Sequence, residues 1–397
     1  MTWDIFCSVI DNYGDIGVTW RLARQLADEH ALPVRLWVDD LAAFQHMRPE
    51  IDPARATQHL AGVEIRRWVS PLPEAEPGEV VIEALACNLP DEFISRMAAK
   101  PAPPVWLNLE YLSAEDWVVG VHGLPSPHPR LALSKHFFMP GYSANTGGLT
   151  RERWLTATRD AFQADADARA TFFASLGLPA QPAGELRLSL FSYENRALPS
   201  LLQAWATDSR PVCVLVPVSK ALPDIAAWLA TPPAEGNGPA HDLQGETDLA
   251  AGTTWRRGAL TLHVLPMLDQ DAYDRLLWAC DVNFVRGEDS CVRAQFAARP
   301  LVWQAYRQNE DAHLAKLDAF LDRYCADLDV RLAEQTRALW HAWNREADNA
   351  SDMAACWAQL RNALPELTRY ARAWDTRLAG QTDLATNLLN FCRKWLK

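Results

Sequence analysis

Residues 3–40 read WDIFCSVIDNYGDIGVTWRLARQLADEHALPVRLWVDD, and this stretch decides the fold. WDIFCSVI (3–10) is an apolar run of strand length. DNYGD is a polar turn. A helical pattern follows, in which Ile16, Val18, Trp20, Leu22, Leu26 and Ala27 include an apolar stripe. PVRLWVDD (33–40) reads as a second strand. Strand, turn, helix and strand in that order begin a parallel α/β sheet.

The alternation continues outward. Short apolar runs at 62–68 (GVEIRRW), 79–85 (EVVIEAL) and 104–109 (PVWLNL) are further strands, and 151–176 is helical in pattern. GLPAQPAGE (177–185) is broken by Pro and Gly and reads as a linker. The layout then restarts, with strands at 185–194, 211–218, 259–265, 281–285 and 300–303. Residues 231–253 read as a long surface loop, and from about 308 onward the pattern is almost all helix. The expected architecture is α/β: a Rossmann-like domain over 1–176, a linker over 177–184, and a second Rossmann-like domain over 185–365. C-terminal helices over 366–397 are expected to cross back to the first domain. Ligands of such sheets bind beyond the carboxyl ends of the strands, so a site is expected in a cleft between the domains, built from the loops that follow strands.

Composition bounds the rest. The chain has 397 residues, 49% of them hydrophobic and 22% charged, which excludes a mainly disordered chain, a collagen-like fibre and a disulfide-framed miniprotein. Lys and Arg number 38 against 50 Asp and Glu, a net charge of −12 that weighs against nucleic-acid or anionic-membrane binding. The first residues lack a secretory pattern and no run of ~18 apolar residues occurs, so a cytoplasmic protein with no membrane partner is expected. A monomer is expected as well. The eight Cys are scattered without zinc spacing and read as buried free thiols. The 17 Trp spread along the whole chain, none in the loops that carry the chemistry below, and read mainly as core.

Three loops follow strands. In the first, Asp11, Asn12, Tyr13, Gly14 and Asp15 form a strand-to-helix turn that can aim two carboxylates at a cleft. The plainer alternative is that Asp15 caps the helix and Asp11 bonds the turn. It is not a G-x-G-x-x-G fingerprint, so a dinucleotide reading is poor. In the second loop, Phe191 and Tyr193 lie two apart and can stack a planar base, or simply fill the core. In the third, Arg286 and Gly287 turn the chain, Glu288 follows, and Asp289 or Ser290 reads as the N-cap of a helix over 291–298. A helix N-terminus beside an Arg suits a diphosphate. The alternative is a capped helix with a surface salt bridge. Gln270 is placed to read the edge of a base.

Two α/β domains, an acidic loop in the first and an aromatic-plus-phosphate set in the second follow the logic of a GT-B glycosyltransferase. No D-x-D motif sits as a metal clamp on a strand end, so no metal or other cofactor is expected; Arg and helix termini can neutralise a leaving diphosphate instead.

IFCSVIDNYGDIGVTWRLARQL, FFMPGYSANTGGLTRE, LFSYEN and YDRLLWACDVNFVRGEDSCVRAQ resemble the elongation factor P arginine rhamnosyltransferase family, EarP, over nearly the whole chain. The resemblance implies a GT-B fold and inverting transfer of L-rhamnose from dTDP-β-L-rhamnose to one arginine of elongation factor P, which then relieves ribosomes stalled at proline runs. It places the family's essential Asp pair on Asp11 and Asp15, and its thymine-stacking aromatics on Phe191 and Tyr193. Its base-reading glutamine falls on Gln270, and its diphosphate and sugar contacts on Arg286, Gly287, Glu288, Asp289 and Ser290. Asp15 is expected as the base, Asp11 as the residue that holds the guanidinium, Glu288 as an assistant, and Asn12, Tyr13 and Gly14 as donor contacts. Two departures stand out: Met267 replaces the family's usual Phe, and Tyr306–Arg307–Gln308 alters its aromatic-Pro-Gln stretch. The rival expectations are a GT-B enzyme for a small-molecule or lipid-linked acceptor, and a catalytically dead sugar-nucleotide binder.

Overall fold

The computed structural model describes residues 1–9, 13–232, 249–308, 311–345 and 350–396. Asp11, Asn12 and most of the 231–253 loop therefore lie outside the described residues. The chain divides into two compact units, Met1–Leu155 with Leu378–Lys397, and Thr156–Arg377.

The strands of the first unit are β1 (Trp3–Cys7), β2 (Val34–Val38), β3 (Thr57–Leu60), β4 (Val63–Arg67), β5 (Val80–Ala84), β6 (Val105–Leu109), β7 (Pro125–Pro127) and β8 (Ser134–Phe138). They form one sheet in the order β3-β4-β2-β1-β5-β6-β8-β7, parallel except for the outer strands β3 and β7. Helices α1 (Gly14–His30), α2 (Leu41–Met47), α3 (Asp91–Ala99) and α4 (Trp117–Val121) connect them. Strands β1, β5 and β6 are buried at every residue, because helices cover both faces of a parallel sheet. That is why WDIFC shows no apolar–polar alternation. The one carboxylate in that strand, Asp4, accepts from Arg35 Nε and Nη2 (2.7 and 2.6 Å), Trp37 Nε1 (2.9 Å) and Gly78 N (2.7 Å). A buried charge is tolerated only when so satisfied. Gly78 is required there, since a Cβ would stand 2.3 Å from the Thr2 carbonyl oxygen.

The second unit begins with α5 (Leu155–Ala164) and α6 (Ala166–Ser175). The helical pattern over 151–176 is thus two helices, divided where Asp165 caps α6 by accepting from Asp167 N (2.9 Å) and Ala168 N (3.0 Å). Then come β9 (Leu186–Leu190), α7 (Leu198–Ala206), β10 (Val212–Pro217), α8 (Leu222–Ala230), β11 (Thr254–Arg257), β12 (Leu260–Leu265), α9 (Gln270–Ala279), β13 (Val282–Arg286), α10 (Asp289–Phe296) and β14 (Leu301–Gln304). The sheet order is β11-β12-β10-β9-β13-β14, parallel except for β11. Helices α11 (Ala312–Tyr324), α12 (Val330–Asn344), α13 (Ala350–Asn362) and α14 (Leu364–Ala379) complete the unit. Helix α5 is fixed in it by Arg159 Nη1 donating to Phe296 O (2.6 Å) and Gln163 Nε2 to Ala297 O (2.9 Å).

The division at Arg377 and Leu378 falls inside α14, and the last helix, α15 (Leu384–Arg393), belongs to the first unit. Its Leu384, Leu388, Leu389 and Cys392 share a core with Ile16, Trp20 and Leu22 of α1. Trp3, Trp20, Trp37, Trp205, Trp340 and Trp343 are fully buried, whereas Trp117, Trp154 and Trp395 are exposed. The eight cysteines are free and buried. Among the described residues, no helix is long and apolar enough to cross a membrane.

Candidate functional site

Among the parallel strands of each sheet the order reverses once, between β1 and β5 in the first and between β9 and β13 in the second. The loops that leave such a pair of strands run in opposite directions and open a crevice beyond the strand ends. The three loops singled out from sequence follow β1, β9 and β13, so each borders a switch point.

In the first unit, Tyr13 takes the N-cap position of α1 and Gly14 and Asp15 are its first two residues. Asp15 is therefore not the cap. It is 2% exposed, and its Oδ1 accepts the Tyr111 hydroxyl at 3.1 Å. Its place in the first turn sets the carboxylate at the positive end of the helix dipole. Burial, with the Asp15 charge adding to it, pushes the nearby Cys7 thiol up, so Cys7 stays neutral and is no nucleophile.

In the second unit, Phe191 and Tyr193 lie just past the end of β9, and Arg286 ends the neighbouring strand β13. Phe191 N donates to Phe284 O (2.9 Å), which sets the two strand ends level. The Arg286 guanidinium carbon lies 4.5 Å from the Phe191 ring centroid and 4.3 Å from that of Tyr193. The aromatic pair thus shares a cation, which neither the base-stacking nor the core-filling expectation included. Gly287 has φ 63°, and a Cβ on it would stand 3.1 Å from the Tyr193 hydroxyl, so glycine serves both the turn and the approach of that ring.

Helix α10 begins at Asp289 with Glu288 as N-cap, one or two residues earlier than expected from sequence. The reason is local: Ser290 is already inside the first turn, where its hydroxyl donates to Arg286 O, and it does not cap from outside. Gln270 opens α9 behind the Asp269 cap and donates Nε2 to Asp289 Oδ2 at 3.4 Å. Arg293 and Asp274, each 1% exposed, join α10 to α9 through two bonds (3.1 and 2.6 Å) and fix where the α10 N-terminus points. Gln270, Arg286, Gly287, Glu288, Asp289 and Ser290 therefore form one cluster with Phe191 and Tyr193. Burial pushes the Cys291 thiol up, which keeps a thiolate out of this cluster too.

Four neighbours escaped the sequence reading. Gln304 Oε1 accepts Tyr193 N (2.8 Å), and Trp303 Nε1 donates to Gly287 O (2.7 Å). Tyr273 packs edge-on to Phe191 at 5.6 Å, and in the first unit Tyr111 holds Asp15. Tyr273 opens the stretch 273–295 quoted above but was given no role there; Tyr111, Trp303 and Gln304 lie outside the quoted stretches, and only the adjacency of strand ends could have pointed to them. A cavity of about 410 Å³, bordered by Tyr193, Asn195, Lys220, Gln304, Tyr306 and Arg307, opens beside the second cluster. Among the described residues no group of three His, Cys, Asp or Glu side chains is arranged to hold a metal.

Comparison with known proteins places this geometry in a family context. A family model described as Elongation-Factor P (EF-P) rhamnosyltransferase EarP matches residues 3–393. A Pseudomonas putida protein named protein-arginine rhamnosyltransferase is 50% identical over 395 residues, covering 100% of this chain and 99% of that protein. A solved structure described as the structural basis for EarP-mediated arginine glycosylation of translation elongation factor EF-P is 37% identical. It superposes with a TM-score of 0.68 over 100% of this chain and 99% of the other. A glycosyltransferase from Rickettsia africae is 8% identical with a TM-score of 0.53, covering 100% of this chain and 98% of its own, a likeness of fold alone.

Proposed function

The chain belongs to the EarP family of elongation factor P rhamnosyltransferases, and from that membership we propose that it transfers L-rhamnose to an arginine of elongation factor P. It is a glycosyltransferase with the GT-B fold. The proposed donor is dTDP-β-L-rhamnose and the proposed outcome is inversion to an α-rhamnosyl-arginine, in the cytoplasm and without a metal.

One observation carries the donor half of this reading. Arg286, stacked against Phe191 and Tyr193, stands directly before the N-terminus of α10. A fixed guanidinium and a row of helix N–H groups together suit a diphosphate. Aromatic faces beside them suit a pyrimidine base. In a single displacement, the arginine nitrogen bonds to C1 of the sugar while the bond from C1 to the phosphate oxygen breaks. The leaving dTDP takes the electron pair, and Arg286 and the α10 N–H groups stabilise its charge.

The acceptor is a poor nucleophile, because guanidinium holds its proton and delocalises its lone pairs. A carboxylate does not make it easier to deprotonate beforehand; it orients one nitrogen and takes the proton as the new bond forms. Asp15 is the proposed base. Asp11 is the proposed holder of the guanidinium, Glu288 a second assisting carboxylate, and Asn12, Tyr13 and Gly14 donor contacts.

The test is incubation of the chain with elongation factor P and dTDP-β-L-rhamnose, followed by intact-mass and peptide analysis. The expected result is one deoxyhexose added at one arginine. Donor turnover with no labelled arginine would favour a small-molecule or lipid-linked acceptor. No turnover with tight donor binding would mark a catalytically dead binder.

A further inference from the structure

Tyr111 belongs to none of the loops that carry the proposed chemistry, yet it touches the proposed base. The contact arises from register. Ala84 of β5 is level with Cys7 of β1 on one side and with Leu109 of β6 on the other. The three strands end side by side, and each sends a group to the same point: Asp15 after β1, Leu85 after β5 and Tyr111 after β6. The Tyr111 hydroxyl lies 3.1 Å from Asp15 Oδ1 and 3.2 Å from the Leu85 carbonyl oxygen.

Leu85 and Ala86 both have positive φ, 55° and 62°. That region is costly for residues with a Cβ and persists only where the surroundings impose it. Here Leu85 N donates to Leu109 O at 2.7 Å, and the same turn brings the Leu85 carbonyl to the Tyr111 hydroxyl.

A phenol has one hydrogen, and among the described residues the Tyr111 hydroxyl meets these two acceptors. When Asp15 is ionised, the hydrogen belongs on its Oδ1, where the bond is charge-assisted. Once Asp15 has gained a proton, its own O–H can donate to the tyrosine oxygen, and the phenol hydrogen turns to Leu85 O. Both states keep the Asp15–Tyr111 hydrogen bond without movement of a heavy atom. A Lys or Arg in that place would satisfy only the ionised state and oppose proton uptake.

We propose that Tyr111 is a positioning residue for Asp15, held between the base and the Leu85 carbonyl so that the carboxylate keeps one orientation before and after it takes the acceptor's proton. This rests on the reading of Asp15 as the base.

The experiment compares Tyr111→Phe, Asp15→Asn and the parent chain by kcat, by KM for dTDP-β-L-rhamnose and for elongation factor P, and by thermal midpoint. Tyr111→Phe is expected to lower kcat by about ten- to a hundred-fold, the scale of one lost bond to a charged group. Both KM values and the midpoint should stay close to those of the parent. A kcat within about two-fold of the parent overturns the inference, as does a loss that tracks KM or a lowered midpoint. Should Tyr111→Phe not fold, 4-fluorophenylalanine at position 111 keeps the shape of the ring and removes the donor; an unchanged kcat then overturns the inference. Asp15→Asn separates the two readings. Transfer near the parent rate in that variant sinks the base assignment and this inference with it. Lost transfer in Asp15→Asn with normal transfer in Tyr111→Phe sinks this inference alone.

Discussion

The Arg286 guanidinium lies over the Phe191 ring at 4.5 Å, so the cation proposed for the diphosphate is held by an aromatic proposed for the base. The two roles are therefore coupled: a substitution at either residue disturbs the seat of the other. Arg286 also ends a fully buried strand, which fixes its backbone before its side chain is considered.

Phe191→Ala is expected to weaken dTDP-rhamnose binding by about ten-fold or more, since stacking on an aromatic contributes roughly 1–3 kcal/mol per base. The fold should remain, because Phe191 lies outside the strand. Titration calorimetry gives the dissociation constant, and an unchanged value would refute the stacking role.

Arg286→Lys keeps the charge but loses the flat group that lies against Phe191 and Tyr193. We expect kcat/KM to fall at least about ten-fold with the thermal midpoint little changed. Parent-like kinetics would show that a point charge suffices and that the stacked geometry is irrelevant to the leaving group.

Asp15→Ala should abolish transfer, by about two to four orders of magnitude, while dTDP still binds the second unit. Mass analysis of elongation factor P and dTDP titration on the same preparation measure both halves. Loss of both together would instead mean that Asp15 supports the fold.

The C-terminal helix gives a stability prediction. Asp383 caps α15 by accepting from Thr386 N (3.0 Å), and its Oδ1 also takes Gln25 Nε2 of α1 (3.0 Å). Asp383→Ala removes both and should cost about 1–2 kcal/mol. A lowered unfolding midpoint in calorimetry checks it; no change would mean that the leucine face alone docks the helix.

The pH dependence follows from histidines. Burial lowers His30, His122 and His263 below the ordinary value of 6.5, and His122 Nδ1 accepts Met139 N, a bond only the neutral ring can make. Between the native and unfolded values the unfolded chain binds more protons. Stability from these groups is thus present above 6.5 and lost as pH falls through the lower native values. The midpoint should be lower at about pH 5 than at about pH 7.5, and His122→Gln should flatten that slope. An equal slope in parent and variant would remove His122 from the account.

Much was legible in the chain itself. The strands from 3–10 through 300–303 emerge because buried parallel strands are nearly continuous apolar runs, and β1, β5, β9 and β13 are buried throughout. The outer strands β3, β7 and β11 escaped, as did β8 beside β7: TQHL and PSP are short and polar, TWRR carries two arginines and SKHFF opens on polar residues, so pairing alone makes them strands. The expected helix over 151–176 sat in the first expected domain, whereas the contacts of Arg159 and Gln163 tie it to the second unit. Helical periodicity says which face is apolar but not which body it faces.

The sequence by itself determined the α/β alternation and which loops carry carboxylates, aromatics and the Arg-Gly turn, because these depend on residues close together in the chain. Only the tertiary structure decided that Arg286 lies against Phe191 and Tyr193, that Gln304 holds the Tyr193 backbone, and that Tyr111 reaches Asp15 across 96 residues of sequence. The reason is register. Adjacent parallel strands set distant residues level at their carboxyl ends, and a one-residue slip would turn the strand-end side chains of Arg286 and Gln304 to the other face.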